Sequence, residues 1–198
     1  MSIKNTIFLL WAGIALAACG QFISKEPSSI ASAEPAAEPT DWQKETFGPL
    51  VNFVGKTYLG KPPNAGPDEL GDIQAWEWAV GGTAMSIRHA IEDGSYGGET
   101  LIYHDDAKQS LAYMYVTNAG FATQGTMSFG DDGSWTSVEA VSGHESITEV
   151  RSTGRSNPDG ALTMNSEYLQ NGSWVPGHAF IYQEVTDRTP IVKGPRPS

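Results

Sequence analysis

From residue 84 onward the chain alternates apolar and polar positions with a period of two, and turn residues interrupt the alternation at regular intervals. Met85, Ile87, His89 and Ile91 share one parity against Ala84, Ser86, Arg88 and Ala90. Leu111, Tyr113 and Tyr115 alternate with Ala112, Met114 and Val116, and Phe121, Met127 and Phe129 stand opposite Gln124, Thr126 and Ser128. A period of two marks strands whose side chains point alternately to two faces. Turn signals fall at Gly81-Gly82, Asp93-Gly94, Asp105-Asp106, Asn118-Ala119-Gly120, Asp132-Gly133, Gly143, Asn157-Pro158-Asp159-Gly160 and Asn171-Gly172. Asp-Gly and Asn-Gly tolerate the positive φ of tight hairpins. These eight turns link nine strands, and a segment at 55–59 makes a tenth. The pattern predicts an all-β fold: an antiparallel up-and-down meander of about ten strands closing into a barrel, because closure removes the sheet edges. A two-sheet sandwich is the alternative. A short helix is expected before the strands, where Pro49 suits a first helical position and Leu50, Phe53 and Val54 share a face.

The N-terminus follows another pattern. Lys4 precedes an uncharged apolar run from Ile7 to Ala17, shorter than the ~20 residues that span a bilayer, and small residues follow it. This is the layout of a secretory signal peptide. The run ends Leu16-Ala17-Ala18-Cys19-Gly20, which resembles the lipobox of bacterial lipoproteins. The resemblance implies cleavage before Cys19, a diacylglyceryl group on its thiol and acylation of the new N-terminus. Two or three acyl chains anchor stably where one is marginal. Cys19 is the only cysteine, so no disulfide can form within the chain. In that family an Asp after the Cys commonly retains the protein at an inner membrane; Gly20 stands there instead. The expected location is therefore the cell envelope, at an outer membrane facing the periplasm or the cell surface. Residues 21–40 are rich in Ala, Ser, Pro and Glu without apolar periodicity, and the tail carries Pro190, Pro195 and Pro197. The expected organisation is a signal peptide over 1–18, the lipidated Cys and a flexible tether over 19–41, a barrel over 42–187 and a disordered tail over 188–198.

Composition narrows the function classes. The 198 residues are 39% hydrophobic, enough for a real core, and carry 12 basic against 23 acidic side chains for a net charge of −11. An acidic body with no basic run is repelled by nucleic acid. The helix, then Gly55-Lys56-Thr57-Tyr58, then a simple meander resemble the calycin group, which holds the lipocalins and fatty-acid-binding proteins. The lipocalin Gly-x-Trp motif is not matched, since Thr57 stands where the Trp belongs. Trp76-Glu77-Trp78 followed by Gly81-Gly82-Thr83-Ala84-Met85 is closer to bacterial lipocalin-like domains, whose resemblance implies no general activity.

A barrel interior offers a cavity for a small, largely apolar ligand. The candidate lining is Trp76, Trp78, Met85, Tyr103, Tyr113, Tyr115, Phe129, Trp135, Trp174, His178, Phe180 and Tyr182, with core filling as the plainer role for each. Arg151 with Tyr182 would suit a carboxylate, as an Arg and a Tyr do inside fatty-acid-binding proteins. The simpler reading points Glu149 and Arg151 outward and leaves Val150 inside. His178, near the C-terminal end with aromatic neighbours, resembles the single haem-ligating His of nitrobindins, although the motifs of that family's early strands are not visible here. No catalytic motif is found: His144-Glu145 lacks the second His of a zinc-protease motif, and no nucleophile elbow, P-loop or dinucleotide fingerprint occurs. Asp105-Asp106 and Asp131-Asp132 read as turn stabilisers. No metal and no cofactor is expected beyond that haem reading. The expected partners are a membrane, through the acyl chains on Cys19, and a small ligand; a second class of function is docking to another envelope protein through exposed aromatics such as Trp42 or Trp135. The oligomeric state is not legible in the sequence.

Overall fold

The computed structural model describes residues 38–194. The leader, the Cys19 motif and most of the tether lie outside these residues. The chain begins with helix α1 (Asp41–Phe47) and a 3₁₀ turn (Gly48–Phe53), followed by strands β1 (Thr57–Lys61), β2 (Asp72–Ala79), β3 (Ala84–Ile91), β4 (Gly97–Asp105) and β5 (Ser110–Thr117). Strands β6 (Ala122–Phe129), β7 (Trp135–Ser142), β8 (Ile147–Ser156), β9 (Leu162–Gln170) and β10 (Ser173–Val185) complete it. Each strand pairs antiparallel with the next, and β1 pairs with β10 to close a ten-strand barrel. This is the meander expected from the alternation, and all eight turn signals fall where one strand gives way to the next, with Asp105 itself closing β4. At Asn171-Gly172 both φ angles are positive, 52° and 78°, the geometry a two-residue hairpin needs.

The helical segment is longer than the sequence pattern suggested. Thr40 Oγ1 accepts from the Gln43 backbone N–H at 3.2 Å while Gln43 Oε1 accepts from the Thr40 N–H at 2.8 Å, a capping box that starts α1. Gln43 Nε2 also donates to the Gly82 carbonyl at 2.9 Å, tying the helix to the β2–β3 turn. Phe47, Leu50 and Phe53 are fully buried or nearly so and plug that end of the barrel. Phe53 sits 5.2–5.8 Å, centroid to centroid, from Tyr58, Trp76 and Trp135, so the plug and the barrel share one aromatic core.

Two glycines on inward positions make sockets for this core. A Cβ on Gly60 would stand 2.3 Å from the Tyr182 ring, and one on Gly154 would stand 2.4 Å from the Trp135 indole. Gly60→Ala is expected to destabilise the barrel by about 1–3 kcal/mol through overpacking, read as a lowered midpoint in urea unfolding; an unchanged midpoint would show that the Tyr182 ring is free to move aside.

Two β-bulges set the parity of the later strands. One falls between Ile147 and Glu149 on β8, the other between Pro176 and Ala179 on β10. Beyond β10 the chain forms no further helix or strand up to residue 194, yet it is tied down. Arg188 pairs with Glu92 at 3.4 Å, the Lys193 N–H donates to the Gly94 carbonyl at 3.0 Å, and Asn118 Nδ2 donates to the Gly194 carbonyl at 3.1 Å.

Candidate functional site

Above the aromatic floor the barrel is hollow. A chamber of about 210 Å³ opens between Trp76, Ile102, Met127, Trp135 and Met164 below and a polar wall of Asp72, Gln74, His89, Tyr115, His178 and Tyr182. It shares Tyr96, Tyr115 and Glu139 with a wider mouth of about 640 Å³, ringed by Phe121, Val141, His144, Ile147 and Tyr168. The plug closes one end, so the mouth at the other end is the way in.

Asp72 organises the polar wall. Its Oδ1 accepts from His89 Nδ1–H at 2.7 Å, and its Oδ2 accepts from the Tyr182 hydroxyl at 2.9 Å and from Gln74 Nε2 at 3.2 Å. Gln74 Nε2 donates at 2.8 Å to the Tyr182 oxygen as well. On its other side His89 Nε2 lies 2.7 Å from the Tyr115 hydroxyl, and the Tyr96 and Tyr115 hydroxyls lie 2.8 Å apart. A chain of hydrogen bonds thus runs from Tyr182 on β10 across Asp72 to the mouth. Burial, with the Asp72 charge a smaller cause, raises the Tyr182 phenol well above its ordinary range. Burial raises Tyr113 and Tyr115 in the same way. At neutral pH all three phenols keep their protons and donate.

Two polar atoms here lack partners among the described residues. Gln74 Oε1 and the Trp76 indole Nε1 are both buried without a hydrogen bond, each at a cost of about 1–3 kcal/mol. The Gln74 amide cannot simply be flipped, because its Nε2 serves the Asp72 carboxylate.

Glu139 is the second buried acid. It accepts from Thr123 Oγ1 at 2.5 Å, and burial pushes its carboxyl above the usual glutamate range even though Thr123 and Tyr113 oppose that shift. A raised folded-state value favours the protonated form, so stability is greatest below the unfolded-state value and falls as pH rises through the folded one. Glu139→Gln removes that dependence. The variant is expected to melt at a higher temperature than the parent at neutral pH and at nearly the same temperature at about pH 4; equal melting at both would show that Glu139 carries no such penalty.

His178 faces the chamber from β10, with its Nδ1 hydrogen-bonded to the Tyr168 hydroxyl at 2.7 Å. Part of its imidazole stays open to the hollow, while the surrounding wall desolvates it and holds it below the ordinary histidine range. The residues do not fit haem. The chamber bordered by His178 is too small for a porphyrin, and the wider mouth does not include His178. Among the described residues no group of three or more His, Cys, Asp and Glu is arranged to hold a metal ion. Asp105 and Asp132 accept from backbone N–H groups two or three residues on, as turn stabilisers do.

Of the side chains singled out in the sequence, the chamber brings together Trp76, Tyr113, Tyr115, Trp135, His178, Phe180 and Tyr182. The rest sit elsewhere. Trp78, Met85 and Phe129 belong to the floor and plug: Trp78 packs 5.5 Å from Phe47, Met85 is fully buried, and the Phe129 ring lies against Gly48. Tyr103 is on the outer wall, since Ile102 takes the inward position of β4 and Leu101 and Tyr103 face out. Arg151 also faces out, paired with Glu167 at 2.7 Å and stacked 4.3 Å over Trp174, so the pairing of Arg151 with Tyr182 across a carboxylate is overturned. Trp174 is outside because the β10 bulge separates its parity from that of His178. Trp135, considered for an exposed patch, is 3% exposed, whereas Trp42 is 46% exposed beside Val80, Leu101 and Tyr103. The sequence reading missed Asp72, Gln74, Tyr96 and Glu139, and placed His89 on one parity with Met85, Ile87 and Ile91 without giving it a role. A polar residue on the same parity as large apolar ones was the available signal: Gln74 with Trp76, and His89 with Ile87.

The closed ten-strand antiparallel barrel is consistent with a lipocalin-like class of fold, and such a barrel is compatible with ligand binding. In comparisons with known proteins, no family model and no curated protein sequence matches the chain.

Proposed function

We propose that this chain is a lipid-anchored cell-envelope protein that binds a small ligand in its barrel, for carriage, storage or sensing. The observation carrying this reading is the chamber of about 210 Å³, sealed at its floor by the aromatic plug and open through the mouth. The lining changes the ligand expected from the sequence. Its apolar floor suits an apolar body, but the Asp72 network and the hydroxyls of Thr100, Ser137 and Ser152 ask for a polar group as well. The anchor rests on Leu16-Ala17-Ala18-Cys19; Cys19→Ser is expected to move the protein from the membrane to the soluble fraction, and a variant that still sediments with membranes would sink the anchor.

Native mass spectrometry of the gently purified protein tests the binding reading. A discrete added mass in the range of a small metabolite is the expected result, and it must disappear when Trp76 and Tyr182 are replaced by alanine. A clean apo mass from freshly isolated protein would count against it, and would turn attention to docking through the apolar patch of Trp42, Val80, Leu101 and Tyr103 at the plug end.

A further inference from the structure

Resting on the binding reading above, we infer that the ligand is a small organic monocation, an amine whose ammonium group pairs with Glu139 where the chamber opens into the mouth and whose apolar body lies on the floor. Glu139 follows Trp135 and Ser137 along the inward row of β7 and borders both hollows. The barrel wall surrounds its side chain, yet part of that side chain stays accessible, so a ligand passing from the mouth to the chamber meets it. Its cross-strand partner on β6 is Gly125, and the next residue in that row is Tyr113 on β5. The glycine puts no side chain between the two.

A charge walled in by protein is costly unless it is paired, and the barrel gives Glu139 a hydrogen-bond donor, Thr123, but no cation. No Lys or Arg lines either the chamber or the mouth among the described residues. The three histidines there are engaged otherwise. His89 is bonded to Asp72 at 2.7 Å, and burial holds His178 below the ordinary histidine range. His144 Nδ1 accepts from the Ser146 and Ile147 N–H groups at 3.2 and 3.1 Å, so that nitrogen carries no proton and the ring no charge. Asp72 differs from Glu139 in already accepting from three side chains. An anion would meet Asp72, Glu139 and the exposed Glu145 of the mouth with nothing to offset them. The same three acids draw a cation inward. Tyr113, Tyr115 and Phe121 line these walls too, and aromatic rings attract a cation further. Ile102, Met127, Trp135 and Met164 then offer an apolar floor for the hydrocarbon body.

Isothermal titration calorimetry on the full chain in phosphatidylcholine nanodiscs, referenced to empty nanodiscs at neutral pH, tests this with three matched probes: cyclohexylamine, cyclohexanol and cyclohexanecarboxylate. Cyclohexylamine, protonated at that pH, is expected to bind about ten-fold more tightly than either of the others, the difference that a hydrogen bond to a charged group makes. Glu139→Gln keeps the shape of the side chain and nearly all of the net negative charge, so the general attraction of an acidic protein for cations survives in it. This variant is expected to weaken cyclohexylamine about ten-fold and to leave cyclohexanol within about two-fold of the parent. Cyclohexanol binding as tightly as the amine, or the carboxylate binding best, would overturn the cation assignment. An amine preference that outlives Glu139→Gln would overturn the placement at Glu139. These results leave the binding reading standing, whereas absence of binding by all three probes would overturn the assignment together with that reading.

Discussion

Phe53→Ala is expected to lower the melting temperature by roughly 10 °C, from a loss of about 3–5 kcal/mol for a buried Phe truncated to Ala. Phe53 is the innermost residue of the plug and touches three aromatic rings of the barrel, those of Tyr58, Trp76 and Trp135. Truncation leaves a hollow beneath the chamber that rigid strands cannot collapse to fill. Thermal unfolding followed by circular dichroism measures the loss. The near-ultraviolet spectrum should weaken too, because Trp76 loses a tilted ring neighbour and Trp135 an edge-packed one. A destabilisation under about 1 kcal/mol would mean that the 3₁₀ segment merely covers the barrel end.

Asp72→Ala is expected to cost a similar amount, about 3–5 kcal/mol, by a different physical route. The carboxylate is only 4% exposed and accepts from His89, Gln74 and Tyr182. Its removal strands the donors of His89 on β3 and Tyr182 on β10, while Gln74 Nε2 keeps its bond to the Tyr182 oxygen. Asp72→Asn is the informative companion. It keeps the shape and one acceptor oxygen but turns an amide donor toward groups that themselves donate, so it should recover only part of the loss. Chemical denaturation of both variants supplies the comparison; equal stability of Asp72→Asn and the parent would show that the network tolerates an uncharged centre.

The fold was largely legible because its turns announce themselves. Asn171-Gly172, Asp132-Gly133 and Asp93-Gly94 each mark a reversal, and the alternation in β3, β5 and β6 fixes which side chains face inward. Helix α1 was less visible, since its capping pair of Thr40 and Gln43 lies at the end of a stretch rich in Ala, Pro and Glu. The site was half legible. Parity read along a strand fails wherever an extra residue enters the ladder, and β8 and β10 each carry one. The β8 bulge turns Ile147 to the mouth and leaves Glu149 and Arg151 outside. The β10 bulge separates Trp174 from His178. β4 deceives for another reason: Leu101, Ile102 and Tyr103 follow one another, so apolar residues fall on both faces, and its register with β5, in which Ile102 stands opposite Tyr113, places Tyr103 outside. Asp72 escaped notice because a carboxylate at a strand start resembles a turn residue until Tyr182, distant in sequence, is brought across to it.

The seam between β1 and β10 has a consequence for how the molecule is made. Its two partners are the first and last strands of the meander, so every other pairing can form in order of synthesis while this one waits for the end of the chain. Until then the open edges of β1 and of the newest strand lie bare, and they need guarding against pairing with a neighbouring chain. The same late strand delivers Tyr182 to Asp72 and His178 to the chamber. Closing the wall and finishing the pocket are therefore one event in the biogenesis of this protein, and a chain cut short before β10 loses both at once.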